Sequence, residues 1–248
     1  MRTVDLMGLA VGEAPVLVAT ALADTVDGML EGANHARAAG ADVVELRIDR
    51  LSSDDEAAEL VCRIDMPHVV SCRTPDFGGF FAEPEDARIA RLGAACEAGA
   101  AAVDIEYLAE PAHRDRLIAT ARDQQIPLLI GYENMQKTPA KEELIRGIRG
   151  VAELGPSLVK LAVRAASHAD LLIVLEMARE MREMLDVPFA AIALGPYGAS
   201  SRPLCCVLGG SFTYCAIEAG GAAGQLTVTE TRNVMETVSE QRWLCSSS

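Results

Sequence analysis

Aromatic residues are scarce in this sequence. Only 4% of its 248 residues are Phe, Trp or Tyr, although 50% are hydrophobic. The core must therefore be built mainly from Ala, Val, Leu and Ile, which is typical of buried parallel strands and the helices that cover them. No apolar run is long enough to span a bilayer, and Asp5, Gly8 and Glu13 interrupt the apolar start of the chain. We therefore expect neither a membrane span nor a signal peptide.

Positive charge is also in short supply. The 22 Lys and Arg residues are outnumbered by 36 Asp and Glu residues, so the formal net charge is -14. Such a charge argues against nucleic acid or an anionic membrane as the partner, although a local arginine cluster can still bind a small anion. The four histidines belong to no His, Cys and carboxylate cluster with the spacing of a metal site, so we predict no metal.

Paired cysteines are missing as well. The seven cysteines form no CxxC motif and lie mostly in apolar segments. The adjacent Cys205 and Cys206 are compatible with a thiol switch, but a helix packed against a sheet explains them better. We interpret the cysteines as reduced residues of a cytoplasmic protein.

Short apolar, β-branched runs alternate with amphipathic segments through the chain. The predicted strands are Pro15–Leu22, Val43–Asp49, His68–Thr74, Ala101–Tyr107, Pro127–Glu133, Leu158–Arg164, Pro188–Leu194 and Phe212–Ile217. The predicted helices are Thr25–Ala39, Asp54–Ile64, Pro84–Ala98, Glu110–Gln124, Pro139–Leu154, Ala169–Leu185, Arg202–Leu208 and Thr227–Leu244. Eight such units predict an α/β protein, a (β/α)8 TIM barrel that forms one domain over residues 1–248. The alternative, an open doubly wound sheet, lacks the glycine-rich sequence that it needs after the first strand.

Only three lysines are present, and one of them, Lys160, lies in the middle of the apolar run Leu158–Val163. Burial disfavours the charged form of lysine, so this ammonium must either pair with a carboxylate or lose its proton. A neutral amine attacks carbonyl carbon, whereas arginine cannot be deprotonated for such an attack. Lys160 is therefore the candidate nucleophile. The alternative is a lysine that is ion-paired inside a strand.

Charged residues recur on the strand faces that would point into the barrel. They are Glu45, Arg47 and Asp49 on the second predicted strand, Arg73 near the end of the third, Asp104 and Glu106 on the fourth, Glu133 at the end of the fifth, and Lys160 and Arg164 on the sixth. Barrel interiors are normally filled by Val, Ile and Leu, and the chemistry lies at the carboxyl ends of the strands. We predict an internal ion-pair network that also forms a polar pocket around Lys160.

Two glycine-rich loops follow the last two predicted strands. Gly195–Arg202 leads into a helix with an arginine in its first turn, and backbone N–H groups together with a guanidinium suit a carboxylate or phosphate. Gly220–Gln225 is small and flexible enough to fold over a ligand as a lid. Either loop alone is equally explained as an ordinary turn.

These motifs, in this order, resemble the type I 3-dehydroquinate dehydratases, the Schiff-base enzymes of the shikimate pathway of aromatic amino acid biosynthesis. The matching stretches are Glu45-Leu-Arg47-Ile-Asp49, Arg73-Thr with Gly78-Gly79, Asp104-Ile-Glu106, Lys137-Thr-Pro139, Lys160-Leu-Ala-Val, Gly195 to Ser201-Arg202, and Gly224-Gln225. The resemblance extends over nearly the whole chain. It implies a (β/α)8 barrel that is usually a homodimer and uses no metal or nucleotide.

The resemblance also assigns roles to individual residues. By this likeness Lys160 forms an imine with the ketone of dehydroquinate, and Arg202 holds the carboxylate of the substrate. The same likeness has further residues contact hydroxyls of the substrate or position one another. They are Glu45, Arg47, Arg73 and Gln225.

The chain departs from the family pattern where protons are transferred. Glu133 stands where the family has a proton-shuttling histidine, Phe77 stands where it has a glutamate, and Gly221 replaces a serine of the closing loop. Glutamate, with an ordinary pKa of about 4.3, is a weaker base than histidine, although burial can raise its pKa toward neutrality. We therefore expect Glu133 to take the part of the histidine.

Two classes of function follow from these residues. The first is a Schiff-base-forming lyase that acts through Lys160 on dehydroquinate or a related carboxylated cyclic hydroxyketone. An imine-dependent aldolase or isomerase of a specialised pathway is a variant of it, since an iminium supports either reaction. The second is a non-catalytic barrel that binds a carboxylated metabolite. Retention of Lys160 argues against the second class, because a sensor needs no nucleophilic amine.

Overall fold

The computed structural model describes residues 2–218 and 224–244, with side chains up to residue 238. The strands are β1 (Val4–Leu6), β2 (Leu9–Val11), β3 (Val16–Leu22), β4 (Val43–Arg47), β5 (His68–Ser71), β6 (Val103–Glu106), β7 (Leu128–Asn134), β8 (Leu158–Arg164), β9 (Phe189–Leu194) and β10 (Phe212–Cys215). The α-helices are α1 (Val26–Ala38), α2 (Asp54–Arg63), α3 (Glu85–Glu97), α4 (Pro111–Asp123), α5 (Lys141–Glu153), α6 (His168–Met184), α7 (Ser201–Val207) and α8 (Val228–Leu244). Two short 3₁₀ helices occupy Ile48–Arg50 and Pro75–Phe77.

Strands β3 to β10 form one parallel sheet in the order β10-β3-β4-β5-β6-β7-β8-β9. The sheet curves back on itself, because the backbone N–H of Ser211 at the start of β10 donates to the carbonyl of Phe189 on β9 at 2.7 Å. From β3 onward each strand is followed by one α-helix that covers the outside of the sheet, and α8 follows the last strand. The predicted (β/α)8 barrel is therefore confirmed.

The hydrophobic core has two layers. The outer layer lies between the sheet and the helices and is built from small aliphatic residues such as Val44, Leu46 and Val163. The inner layer fills the amino-terminal end of the barrel, where Val18 and Val43 contact residues of the neighbouring strands. Period-two alternation along each strand separates the two layers. The upper half of the interior, toward the carboxyl ends of the strands, is thereby left for polar side chains.

An antiparallel hairpin, β1 with β2, closes the amino-terminal end of the barrel. Leu6 and Val11 of the hairpin are buried in the inner layer. The hairpin was not predicted from the sequence. It turns at Met7 and Gly8, whose φ values of 53° and 88° are those of a type I′ turn. Glycine suits such a turn, whereas methionine is an uncommon residue at a positive φ.

Helix starts agree in part with the sequence. Ser167 caps α6, since its hydroxyl accepts from the backbone N–H of Asp170. The prediction that Pro139 opens α5 is wrong, because α5 begins at Lys141 with Ala140 as its N-cap. Thr138 instead donates its hydroxyl to the carbonyl of Arg164 at 2.8 Å, which holds this segment as a loop beside β8. Within the described ranges no helix is long and apolar enough to cross a membrane.

Candidate active site

Lys160 lies on the inner face of β8, at the level where the barrel interior turns from apolar to charged. Its side chain is buried, and Nζ is 2.7 Å from Asp104 Oδ2 and 2.8 Å from Glu133 Oε1. The ring of Tyr214 on β10 lies beside it, with its centroid 5.2 Å from Nζ. The amine therefore contacts two carboxylates and an aromatic ring, all of which favour the ammonium form.

Arg73 completes this cluster from the loop after β5. Its guanidinium is ion-paired with Asp104 and Glu106 and lies 3.0 Å from Glu133 Oε1. Arg88 of α3 extends the chain of charges, since its Nη1 is 2.9 Å from Glu106 Oε2. The predicted internal ion-pair network therefore exists. It links the barrel interior to the inner side of α3.

The charges in this cluster shift one another's pKa values in different directions. Burial lowers the pKa of Lys160, as does Arg73, but Asp104 and Glu133 outweigh both and raise it above its ordinary value. The free protein therefore holds an ammonium at Lys160. Of the two outcomes that the sequence left open for Lys160, ion pairing holds in this state, because two carboxylates from other strands contact the amine inside the barrel.

The two carboxylates that contact Lys160 differ from each other. Burial raises the pKa of Asp104 to about 6, against the opposing influence of Arg73 and Lys160. Burial also acts to raise the pKa of Glu133, but Arg73 and Lys160 more than compensate and leave it below its ordinary value. Burial therefore does not bring the pKa of Glu133 toward neutrality. Asp104 is the carboxylate that takes up a proton more readily near neutral pH.

A glycine on β7, Gly131, makes room for this cluster. Gly131 lies on the inner face of β7, one pleat below Glu133. A Cβ at this position would lie 2.8 Å from Glu133 Oε1 and 3.2 Å from the Lys160 Cε. Any larger residue would therefore displace one of the two groups.

Glu45 and Arg47 of β4 lie on the adjoining wall and also face the cavity. Glu45 accepts hydrogen bonds from Thr20 Oγ1 at 2.9 Å and from Ser71 Oγ at 3.1 Å. Arg47 forms a two-point contact with Asp49, at 2.8 and 2.9 Å. Because these partners fix both side chains, they form a preformed polar wall.

Arg202, in the first turn of α7, is in a different situation from the other buried cations. It is 2% exposed, yet in the part of the chain that the structure describes no carboxylate lies within ion-pairing distance of it. Burial lowers its pKa to about 10. The guanidinium donates through Nε to the carbonyl of Gly224 at 3.4 Å, which is a long hydrogen bond. Arg202 is therefore a buried cation whose natural complement is an anion from outside the chain.

Three of the backbone donors in the loop before α7 are already engaged. The N–H groups of Gly198, Ser201 and Arg202 are bonded to carbonyls of the same loop. The guanidinium of Arg202 remains as a charged donor at this end of the cavity. The carbonyl of Gly195 and the Cα of Gly224 pack so closely that a Cβ at Gly224 would lie 1.9 Å from the Gly195 oxygen. Only glycine fits at this contact between the two loops.

A cavity of about 690 Å³ opens at the carboxyl ends of the strands and joins these groups. The predicted site residues line it together: Glu45, Arg47, Arg73, Glu133, Lys160, Arg202 and Gln225. Arg164 is exposed at the end of β8 and does not line the cavity. Gly221 and most of the predicted lid lie outside the described residues.

The wall near Glu133 is apolar. Phe77 and Met135 line the cavity there, and Met135 Cε lies 3.0 Å from the position of a Cβ on Gly78. Phe77 and Met135 therefore add apolar surface to a cavity that charged side chains also line.

Among the described contacts, no histidine takes the place of the proton-shuttling histidine that the family resemblance implies. His68 is buried at the start of β5, where its Nε2 accepts from the N–H of Ala101. His168 is exposed and packs its edge against Tyr197. His35 borders the cavity from α1, but among the described contacts none joins it to Lys160 or Glu133.

Several residues of this site were not predicted from the sequence, among them Thr20, Ser71, Met135 and Tyr214. One signal could have identified Tyr214. It is one of only four tyrosines and alternates with Phe212 on the inner face of the last strand. In the described ranges no group of three or more His, Cys, Asp or Glu side chains is arranged to hold a metal ion.

Known proteins resemble this chain in sequence. A sequence model of the type I 3-dehydroquinase family matches residues 18–242. The 3-dehydroquinate dehydratase of Methanothermobacter thermautotrophicus is 33% identical over 213 residues, covering 85% of this chain and 91% of the relative. That of Listeria welshimeri is 28% identical over 251 residues, covering 97% of this chain and all (100%) of the relative.

Solved structures resemble it in fold. The type I 3-dehydroquinate dehydratase of Clostridium difficile, crystallised with covalently modified comenic acid, has a TM-score of 0.90 at 23% identity and covers 97% of this chain and 98% of its own. The 3-dehydroquinate dehydratase of Enterococcus faecalis has a TM-score of 0.80 at 26% identity, covering 93% of this chain and 97% of its own. The dihydropteroate synthase of Yersinia pestis has a TM-score of 0.61 at 14% identity, with coverages of 97% and 98%, so the barrel alone does not define an activity.

The sequence matches identify the family of this chain, whereas the structural matches at low identity show only its fold. The match to the family model begins in β3 and ends in α8, so it includes every strand that lines the cavity. The order of motifs predicted this relationship, and the relatives are carbon–oxygen lyases, as predicted for this chain. The chain belongs to the type I 3-dehydroquinase family.

Proposed function

We propose that this protein forms an imine between Lys160 and the ketone of a small carboxylated substrate, 3-dehydroquinate or a near relative, and then eliminates water from it. One observation carries the proposal. A lysine amine and a buried arginine without a carboxylate partner among the described residues line the same cavity. A ketone at the first and a carboxylate at the second satisfy both groups.

Imine formation requires that the Lys160 ammonium lose a proton before the nitrogen attacks. Asp104 accepts it, because its pKa of about 6 makes it the better proton acceptor of the two contacting carboxylates. Asp104 then returns the proton to the carbonyl oxygen. In total, two of the three N–H hydrogens leave with that oxygen as water, and the iminium nitrogen keeps one.

Elimination begins with the carbon next to the iminium, whose proton becomes acidic because the iminium accepts electrons. Glu133 is ionised and lies beside Nζ, which places it to remove that proton. The electron pair forms a carbon–carbon double bond as the hydroxyl leaves. The proton that Glu133 has collected goes to the departing hydroxyl, which leaves as water.

The remaining wall orients the substrate. Arg202 anchors the carboxylate, and Gln225 lies beside it on the adjoining loop. Glu45, Arg47 and Arg73 line the opposite part of the cavity, where they meet hydroxyl groups or hold the ion-paired cluster in place.

A second candidate is an imine-dependent aldolase or isomerase acting on a carboxylated ketone of a specialised pathway. It is favoured by Phe77 and Met135, which present an apolar wall beside Glu133. A substrate that meets this wall with carbon rather than a hydroxyl gains from burial of apolar surface. A metabolite sensor is the third candidate.

Incubation with 3-dehydroquinate and cyanoborohydride tests these candidates. The lyase forms a conjugated enone, visible by its ultraviolet absorbance, and wild-type protein gains the mass of the reduced ligand at Lys160. An adduct without the enone points to the aldolase or isomerase. Reversible binding without an adduct, across a panel of cyclic ketoacids, points to the sensor and overturns the proposal.

We further propose that the enzyme works in the cytoplasm as a homodimer and without a metal. The family resemblance supports the dimer. Reduced cysteines support the compartment, since the six described cysteines are free and five of them are buried, with Cys62 exposed. Analytical ultracentrifugation distinguishes a dimer from a monomer, and dialysis against a chelator should leave turnover unchanged.

A further inference from the structure

Tyr214 on β10 forms the floor of the charged cluster. Its side chain is buried and its ring lies beside the Lys160 ammonium. Its hydroxyl is enclosed and has no hydrogen-bond partner in the described part of the chain. A buried hydroxyl without a partner destabilises a fold. We therefore expect this hydroxyl to gain a hydrogen-bond partner in another state of the protein.

Asp104 offers an acceptor for this hydroxyl, because its Oδ1 is also enclosed and without a partner among the described residues. Its Oδ2 is the atom that contacts Lys160 and Arg73. Glu45 also lies near the phenol, but both of its carboxylate oxygens already accept hydrogen bonds from hydroxyl groups. Asp104 Oδ1 is therefore an enclosed acceptor that is open to a new donor.

Imine formation changes the number of donors at Lys160. The ammonium has three N–H groups, and it contacts Asp104 and Glu133 at once. The iminium has only one N–H group, because two hydrogens leave in the water molecule. One of the two carboxylates therefore loses a donor, and a buried carboxylate that loses a donor is destabilised.

We propose that Tyr214 is a positioning residue for the imine: its hydroxyl turns to donate to Asp104 Oδ1 when Lys160 becomes an iminium. The remaining N–H group then stays with Glu133 Oε1, to which Arg73 is also paired. No hydrogen bond among the described residues engages Glu133 Oε2, so that oxygen is free to act as the base. This inference rests on the proposed imine chemistry.

Tyr214→Phe tests it, because this substitution removes the hydroxyl and keeps the ring. Tyr132→Phe is the matched control: Tyr132 is a second buried tyrosine of the barrel wall, and its ring packs against Gly147 of α5, away from Lys160. Three quantities are measured for each protein: the unfolding temperature without ligand, the rate of adduct formation with 3-dehydroquinate and cyanoborohydride, and the affinity for 3-dehydroquinate in a Lys160→Met background.

We expect Tyr214→Phe to slow adduct formation roughly tenfold or more, the effect of one lost hydrogen bond to a charged group. The unfolding temperature should not fall, and the affinity in the Lys160→Met background should not change. Tyr132→Phe should leave the adduct rate as in wild type.

Equal adduct rates for wild type and Tyr214→Phe would overturn the inference while leaving the proposed function intact. A slower rate that comes with a lower unfolding temperature would also overturn it, since the hydroxyl would then serve the free protein. If wild type itself forms no adduct, the proposed function fails and the role of Tyr214 fails with it.

Discussion

The two buried cations that line the cavity from β8 and α7 have opposite surroundings. Lys160 lies between two carboxylates, and its pKa is raised. Arg202 has no carboxylate within reach in the described residues, and burial lowers its pKa to about 10. Both side chains are almost fully buried, so exposure to water does not explain the difference.

The difference separates binding from chemistry. Arg202 is an incomplete ion pair among the described residues, and in our proposal the carboxylate of the substrate completes it. Lys160 is a complete ion pair, and substrate must disturb it before the amine can react. Two of the three departures from the family pattern, Glu133 and Phe77, line the cavity, and the third, Gly221, lies outside the described residues. By the family resemblance, Arg202 and Gln225 are kept.

The largest effect is expected when Lys160, the cation with two carboxylate partners, is replaced. Lys160→Met removes the amine but keeps most of the apolar stem, so covalent labelling by 3-dehydroquinate and cyanoborohydride should disappear entirely. The unfolding temperature should also fall, because Asp104 and Glu133 then keep only Arg73 as a close cation. Intact-mass spectrometry and circular dichroism measure the two results.

Lys141→Ala is the control for this experiment. Lys141 forms ion pairs on the helical surface with Glu176 and Glu180, so its loss should alter neither labelling nor turnover. Labelling that persists in Lys160→Met would remove Lys160 from the mechanism.

The next largest effect is expected at Glu133. Glu133→Gln should still form the imine but should slow turnover by about 10² to 10⁴, the usual contribution of a general base. Single-turnover measurements separate the two steps. If Glu133→Gln retains full turnover, Glu133 is only a member of the ion-pair network.

Glu133→His sharpens the same test. Histidine titrates near neutral pH and can act as base and acid, so this change should raise dehydration of 3-dehydroquinate if the rest of the pocket is that of a dehydratase. If the substrate of the enzyme is instead matched to Phe77 and Met135, the same variant should lose the native activity and gain little dehydration. The ultraviolet absorbance of the enone distinguishes the two outcomes.

Replacing Arg202 should have a smaller effect than the changes above: it should weaken ligand binding without lowering the stability of the fold. Arg202→Met should weaken binding of a carboxylated ligand by one to two decades, because a charge-assisted hydrogen bond contributes about 1.5–3 kcal/mol. Stability should not fall, since the variant removes a buried charge that has no carboxylate partner in the described chain. Isothermal titration calorimetry and thermal unfolding measure these quantities.

Arg73→Met is the contrasting variant. It leaves Asp104, Glu106 and Glu133 short of a buried cation, so it should destabilise the fold by about 3–5 kcal/mol. If Arg202→Met and Arg73→Met destabilise the fold equally, the distinction between an incomplete and a complete ion pair is wrong.

Most of the fold could be predicted from the sequence because period-two burial and β-branched residues act locally. Strand β8 was predicted with its observed bounds, Leu158–Arg164. The second predicted strand extended to Asp49, but β4 ends at Arg47, and a 3₁₀ turn follows. That turn brings Asp49 back onto Arg47, and no pattern of hydrophobic residues encodes this contact.

The side chains of the site could be predicted from the sequence, but the contacts between them could not. Strand periodicity placed Lys160 and Asp104 inside the barrel, but which charges meet depends on the stagger of strands that are far apart in sequence. The raised pKa of Lys160, the lowered pKa of Glu133 and the isolation of Arg202 all arise from such pairings. These properties are therefore available only from the folded chain.

The smallest expected effect concerns Asp104 and the pH dependence of stability. Its pKa is about 6 in the folded protein, above the value of about 3.9 expected in the unfolded chain. The folded state therefore binds the proton more tightly, so this group makes the protein more stable as the pH falls from 7 toward 5. Against Asp104→Asn, which does not titrate, wild type should gain on the order of 1 kcal/mol over this range.

Urea unfolding of both proteins at several pH values measures this difference directly. His68 acts in the opposite direction over the same range, because burial lowers its pKa, but it is present in both proteins and cancels in the comparison. Glu133 does not contribute above pH 5, since its pKa lies below its ordinary value. Parallel stability curves would mean that the pKa of Asp104 is not raised in the folded protein, and Asp104 would then be no better a proton acceptor for Lys160 than Glu133 is.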